Sequence, residues 1–306
     1  CVSCGQCLVS CPFGAIVDKS QIYQVIRSIL EGNEVVAIVA PSFVGQFGRD
    51  MTVPKFLTAM KQLGFADVVE VAAGADICTI EEAHDFLEKV PNEQRFMATS
   101  CCPSWRMMAR RLFPAESGNI SMTYTPMVYT ARLVKKEHPN SKVVFIGPCA
   151  AKKLEAMQED IRTDVDFVLT YEELMGIFEA KEINFSTLPD SPDLDEGTRA
   201  GRGFAVAGGV AAAGEELIHK EHPDIELKTQ RADGLRDCRK LLMLAKAGKL
   251  DGYLLEGMAC PGGCVAGAGT VVSADTAAKK LAQHMAQASG ETAKDSKYRE
   301  LADQLT

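Results

Sequence analysis

Val143-Val144-Phe145-Ile146-Gly147-Pro148-Cys149-Ala150-Ala151-Lys152-Lys153 starts as an apolar, β-branched run and ends in a helical pattern, with a cysteine at the turn between them. Phe96-Met97-Ala98 leads in the same way into Thr99-Ser100-Cys101-Cys102-Pro103-Ser104-Trp105, and Tyr253-Leu254-Leu255 leads into Glu256-Gly257-Met258-Ala259-Cys260-Pro261-Gly262-Gly263-Cys264. Strands alternating with helices predict an α/β chain built on a parallel sheet. Open sheets of this kind bind ligands beyond the carboxyl ends of their strands. All three segments are therefore expected to deliver cysteine to one edge. Helix N-termini there expose unpaired N–H groups that favour anions, and Pro103 suits a first helical turn. Buried, inert core thiols are the competing reading of any one of these cysteines. Their repetition at equivalent junctions weighs against it.

The rest of the chain extends the alternation. Helical spacing covers Ile22 to Glu31, Pro54 to Leu63, Cys78 to Val90, Ser104 to Phe113, Met127 to His138 and Ala150 to Gln158. Val35 to Val39, Asp67 to Val71, Val165 to Thr170 and Phe204 to Ala207 read as strands, and Gly208-Gly209 opens a small-residue helix. Pro189 to Arg202 is the expected linker or exposed loop, and Ala274 to Leu305 the expected C-terminal surface helix.

Cys1, Cys4, Cys7 and Cys11, followed by Pro12, reproduce the bacterial ferredoxin run CxxCxxCxxxCP. Three such cysteines hold one 4Fe-4S cubane, and the fourth reaches a second. No partner motif occurs downstream, so an upstream ferredoxin half is expected to be missing. Zinc is the rival for clustered cysteines, but it favours paired CxxC knuckles. Residues 1–20 are read as this partial module and residues 21–306 as the main domain.

Composition narrows the function class. The 306 residues carry a formal net charge of −8, which lacks the basic footprint of nonspecific nucleic-acid binding. Eleven cysteines, with no signal-peptide core and no apolar run of membrane-spanning length, predict a cytoplasmic protein without structural disulfides or a membrane contact.

With these motifs on the page, the chain resembles the iron-only (FeFe) hydrogenases over essentially its whole length. The family's signatures are similar to TSCCPSW, GPCAAKKLE and EGMACPGGC here. The resemblance implies two α/β lobes gripping a buried H-cluster, in which a 4Fe-4S cubane is bridged to a two-iron subsite carrying carbon monoxide, cyanide and an amine-bearing dithiolate. By matching position, Cys102, Cys149, Cys260 and Cys264 would hold the cubane, and Cys264 would bridge to the two irons. The implied reaction is the reversible reduction of protons to dihydrogen, with ferredoxin or a similar carrier as electron partner and maturation proteins supplying the cofactor.

Further roles follow from the same resemblance. Cys101 matches the proton-relay thiol, and Glu82, Ser121 and Asp85 match further relay positions, with Asp in place of the more usual Glu. Spacing alone puts Glu82 and Asp85 on one helix face, where a solvated acidic stripe is an equal reading. Lys152 matches the donor to one cyanide, with Glu155 at helical spacing to orient it. Lys153 is read as surface charge. Pro41, Ser42 and Met258 match pocket walls, Ser42 meeting the second cyanide by hydroxyl or backbone N–H, and Gly208 and Gly209 allow close backbone approach. Gly147 and Met127 depart from the family's usual methionine and glutamine, and Cys78 and Cys238 match no ligand position. Two rival classes stay open: a noncatalytic iron-sulfur assembly protein, and a sensor of dihydrogen.

Overall fold

The computed structural model describes residues 1–192, 194 and 196–305. In chain order its principal elements are α1 (Gln6–Ser10), α2 (Ile22–Leu30), β1 (Val35–Val39), α3 (Val53–Leu63), β2 (Asp67–Glu70), α4 (Val71–Lys89), β3 (Met97–Ala98), α5 (Pro103–Leu112), α6 (Pro126–Glu137), β4 (Lys142–Gly147), α7 (Ala151–Glu155), β5 (Phe167–Thr170), α8 (Tyr171–Ala180), α9 (Arg199–Gly203), α10 (Gly209–Glu221), β6 (Lys228–Asp233), α11 (Leu235–Lys246), β7 (Tyr253–Met258) and α12 (Ala274–Met285).

Two parallel sheets are present, as the two α/β lobes implied by the resemblance require, in place of the single sheet edge read from the strand junctions alone. One runs β2-β1-β4-β5 and the other β3-β7-β6. Every residue of β1 is buried, as a strand covered by helices on both faces requires. In the first sheet the chain leaves β1 for β2 on one side and later enters β4 on the other, so a topological switch lies between β1 and β4. The second sheet sends β3 and β7, neighbours in register, toward the same region. The three cysteine segments thus come from two sheets whose carboxyl ends open on one space.

Local sequence explains where the helices start. Pro103 and Pro126 open α5 and α6 at positions where a missing N–H costs little. At α8 the Thr170 hydroxyl accepts from Glu173 N at 3.2 Å while the Glu173 carboxylate accepts from Thr170 N at 2.7 Å, a reciprocal capping box. The helix predicted over Cys78 to Val90 starts earlier, at Val71, because the preceding small residues pack against α6.

Three other expectations are corrected. Phe204 to Ala207 is the turn between α9 and α10 rather than a strand. A Cβ on Gly209 would stand 1.9 Å from Gly203 O, a closeness that only a tight glycine turn permits. The predicted linker ends in helix: Arg202 is fully buried, and its guanidinium meets both carboxylate oxygens of Glu70 at 3.0 Å. His284 Nε2 completes that buried cluster at 2.8 Å from Glu70. Asp193 and Asp195 of this stretch lie outside the described residues. The C-terminal helix stops at Met285, and residues 293–295 and 299–304 form short 3-10 turns instead. The strand β6, rich in Lys, Gln, Arg and Asp, was not legible because an edge strand exposed on both faces lacks the apolar alternation of a half-buried one.

Candidate metal centre

Cys102, Cys149, Cys260 and Cys264 line one cavity, although they come from junctions after β3, β4 and β7. Cys102 is the N-cap of α5, and its Sγ accepts from Ala259 N at 3.4 Å, which ties the β3 junction to the β7 junction. Between Cys260 and Cys264 the chain turns through Gly263 at φ 95°, where a Cβ would stand 2.5 Å from Ala207 N. Only glycine fits there. Val265 N then donates to Ala205 O at 3.0 Å and holds Cys264 at the wall.

Burial pushes the Cys149 thiol up to about 11 and raises those of Cys102, Cys260 and Cys264 as well. Isolated thiols in such a place stay protonated, whereas a coordinated thiol is deprotonated outright. No three His, Cys, Asp or Glu side chains among the described residues converge closely enough to hold a single ion. The cysteines instead surround a cavity of about 90 Å³, several times the room one water needs. Four soft donors around a space of that size suit a multi-iron cluster.

The remaining walls are mostly apolar. Pro41, Ser42, Met127, Phe145, Met258 and Phe204 line the cavity. Gly147 does not leave a hole: a Cβ there would meet the Phe145 ring at 2.5 Å, so an aromatic from two residues upstream fills the volume. Gly208 and Gly209 are absent from the lining. They lie behind it, where the buried Glu256 carboxylate accepts from Gly208 N at 2.6 Å and Ala211 N at 2.8 Å, fastening the start of α10 to β7. Glu256 was not singled out in the sequence, though its place within EGMACPGGC was a usable signal.

Lys152 also lines the cavity. Burial drives its ammonium toward deprotonation, but the charge and hydrogen bond of Glu155 more than offset this and leave its pKa above the ordinary lysine value. Nζ donates to Glu155 Oε2 at 2.5 Å and to Thr125 Oγ1 at 2.9 Å, and lies 3.5 Å from Cys101 O. Thr125 went unnoticed in the sequence. Lys153 is more than surface charge: it sits between Asp18 at 2.8 Å and Glu173 at 2.9 Å, pinning the segment before α2 to α8.

The acidic stripe of α4 divides. Glu82 faces inward and is 4% exposed. Its Oε1 accepts from Ser100 N at 2.9 Å, and the Ser121 hydroxyl is a further hydrogen-bond partner. Burial raises its pKa to about 7 despite those hydrogen bonds. Asp85, one turn on, is partly exposed and paired with Lys89 at 2.8 Å. Cys101 lines the cavity beside Ser100, and burial with the nearby Glu82 charge raises its thiol well above its usual range. Ser100 links Glu82 to the Cys101 backbone, a role that spacing did not reveal. Cys78 and Cys238 are fully buried, as read, and Cys238 Sγ lies 3.3 Å from Met258 O.

At the N-terminus Cys4 lines the same cavity, while Cys1 and Cys7 are exposed and Cys11 is half-buried. Gly5 packs so closely on Ala268 that a Cβ would stand 2.4 Å from its methyl, and the Arg111 guanidinium donates to Cys1 O. No helix among the described residues is long and apolar enough to cross a membrane.

Comparison with known proteins agrees with this geometry. Iron hydrogenase 1 of Clostridium pasteurianum is 32% identical over 310 residues, covering 84% of this chain and 54% of that protein, so the chain spans about half its length. The cytosolic iron-sulfur assembly component 3 of Rattus norvegicus is 25% identical and covers 93% of this chain and 74% of that protein. A variant of the FeFe-hydrogenase HydA1 from Chlamydomonas reinhardtii shares the fold, with a TM-score of 0.75 at 22% identity over 93% of this chain and 94% of the other. Residues 33–268 match the iron only hydrogenase large subunit, C-terminal domain, a stretch that contains Cys102, Cys149, Cys260 and Cys264, and the chain belongs to this family.

Proposed function

We propose that this chain is the catalytic domain of a hydrogenase that interconverts dihydrogen with protons and electrons. One observation carries the reading: Cys102, Cys149, Cys260 and Cys264 share a cavity with Cys101 and Lys152. The four cysteines would hold the cubane half of an H-cluster, with Cys264 shared by a two-iron unit. When bound, that cofactor supplies the electron transfer and H–H bond chemistry that no side chain offers.

The chain's own groups supply the surroundings. Protons need a path of groups that accept and release them, because an isolated charge is costly in an apolar interior. Asp85 at the helix surface, Ser121, Glu82 and the Cys101 Sγ form that path from solvent to cavity. A carboxyl that titrates near pH 7 is suited to both halves of the transfer. Lys152 Nζ, fixed by Glu155 and Thr125, presents a charged donor to an anionic ligand. Pro41, Met127, Phe145 and Met258 exclude water, while Ser42 adds a polar atom to that wall. Three of Cys1, Cys4, Cys7 and Cys11 would hold a further cubane, with the fourth reaching toward a second, within a partial ferredoxin module of residues 1–20, through which ferredoxin or a similar carrier exchanges electrons in the cytoplasm. Maturation proteins would load the cavity.

A noncatalytic iron-sulfur assembly role is the second reading, favoured by the share of the rat protein that the chain covers. Infrared spectroscopy of anaerobically matured protein separates the two. Metal-bound carbonyl and cyanide stretches are expected, and their absence after full maturation favours the assembly role.

A further inference from the structure

Ser42 stands just past the carboxyl end of β1 and lines the cavity. Its Oγ lies 2.9 Å from the hydroxyl of Tyr171, the first residue of α8. That hydroxyl in turn lies 2.9 Å from the carbonyl oxygen of Ala40. β4 separates β1 from β5 in the sheet, so the Tyr171 side chain bridges the carboxyl end of the strand that carries Cys149. The ring is fully buried and meets Phe47 edge-on, with centroids 6.0 Å apart at 86°.

The proton count at this contact has one solution. A carbonyl oxygen can only accept, so the single phenol proton goes to Ala40. The Ser42 to Tyr171 contact then requires Ser42 to donate. Serine has one hydroxyl proton, and this one points away from the cavity toward the phenol. A buried tyrosine hydroxyl without partners would cost free energy, and here it has both a donor and an acceptor, which keeps the arrangement in place.

We infer that Tyr171 sets the polarity of this wall: Ser42 Oγ meets the cavity occupant as a hydrogen-bond acceptor and not as a donor. Tyr171 is a positioning residue, acting through Ser42. Of the two ways Ser42 could reach a metal-bound cyanide, the hydroxyl is thereby removed and the backbone N–H kept. A hydroxyl oxygen with only lone pairs available suits an occupant group that carries its own N–H or O–H. Lys152, two of whose three donor protons go to Glu155 and Thr125, gives the cavity the opposite polarity with the third.

This rests on the proposed cluster with its cyanide ligands, and infrared spectroscopy of the matured protein tests the two separately. Cyanide stretches move when a hydrogen bond to the nitrogen is gained or lost. Ser42→Ala alone is expected to leave the cyanide bands where they are in the unsubstituted protein. Tyr171→Phe releases the Ser42 proton and is expected to shift a cyanide band to higher frequency, and adding Ser42→Ala to that variant is expected to return it. A cyanide shift in Ser42→Ala alone overturns the inference, as does an unmoved spectrum in a folded, loaded Tyr171→Phe protein. If the unsubstituted protein shows no cyanide or carbonyl bands, the cluster reading fails and takes the inference with it.

Discussion

The ring of Phe145 occupies the space that a side chain at position 147 would need, its Cζ lying 2.5 Å from where a Cβ on Gly147 would stand. The glycine in GPCAAKKLE and the aromatic two residues before it are one packing unit. Gly147→Ala should therefore overpack the cavity wall and destabilise the protein by about 1–3 kcal/mol. Urea unfolding followed through Trp105, the chain's single tryptophan, measures this. Replacing Phe145 by leucine in the same chain should recover part of the loss.

Cys101→Ala removes a cavity-lining thiol while leaving all four cavity cysteines proposed as ligands. Hydrogen turnover is expected to fall by about 10²–10⁴-fold, the usual worth of a positioned proton donor. Iron content per chain should not change. Undiminished turnover would take Cys101 out of the proton path.

Lys152 and Glu155 form a buried pair at 2.5 Å, with Glu155 fully enclosed. Glu155→Leu leaves the ammonium without its carboxylate, a change that typically costs about 3–5 kcal/mol. Urea unfolding should show a loss of that order. A loss below about 1 kcal/mol, the range of exposed pairs, would mean the ammonium is solvated.

Glu82 gives the protein a pH signature. Its folded pKa of about 7 lies above the ordinary 4.5, so between those values the folded state binds more protons than the unfolded state. Its contribution is fully present below about pH 4.5 and is lost as pH rises through 7, with a slope of up to about 1.4 kcal/mol per pH unit. Ser100, Ser121 and Asp85 are the groups acting on it. Glu82→Gln should flatten that slope, and unfolding curves collected at intervals from pH 4.5 to 8 would show it.

Sequence reading succeeded where chemistry and periodicity coincide. The cavity cysteines follow buried runs such as Val143 to Ile146, whose strand character is plain from β-branched and apolar composition. It failed where backbone context decides. Phe204 to Ala207 is apolar enough for a strand, and only the approach of Gly209 to Gly203 makes it a turn. In the second sheet β3 and β7 were legible as apolar runs, but the edge strand β6 was not, because it has an exposed, polar surface. Partners such as Ser100, Thr125, Tyr171 and Glu256 lie far in sequence from the groups they hold. Spacing carries no record of contacts that tertiary folding creates.

Cys4 and Gly267 line the same cavity, so its wall joins residues far apart in the sequence. During synthesis the last of the four thiols, Cys264, emerges long after Cys102. Domains fold N-terminal first as they emerge, yet this chamber cannot close on that schedule. If the four cysteines hold the proposed cubane, its insertion waits until Cys264 has emerged, and a nascent chain stalled before that cysteine should capture no complete cluster.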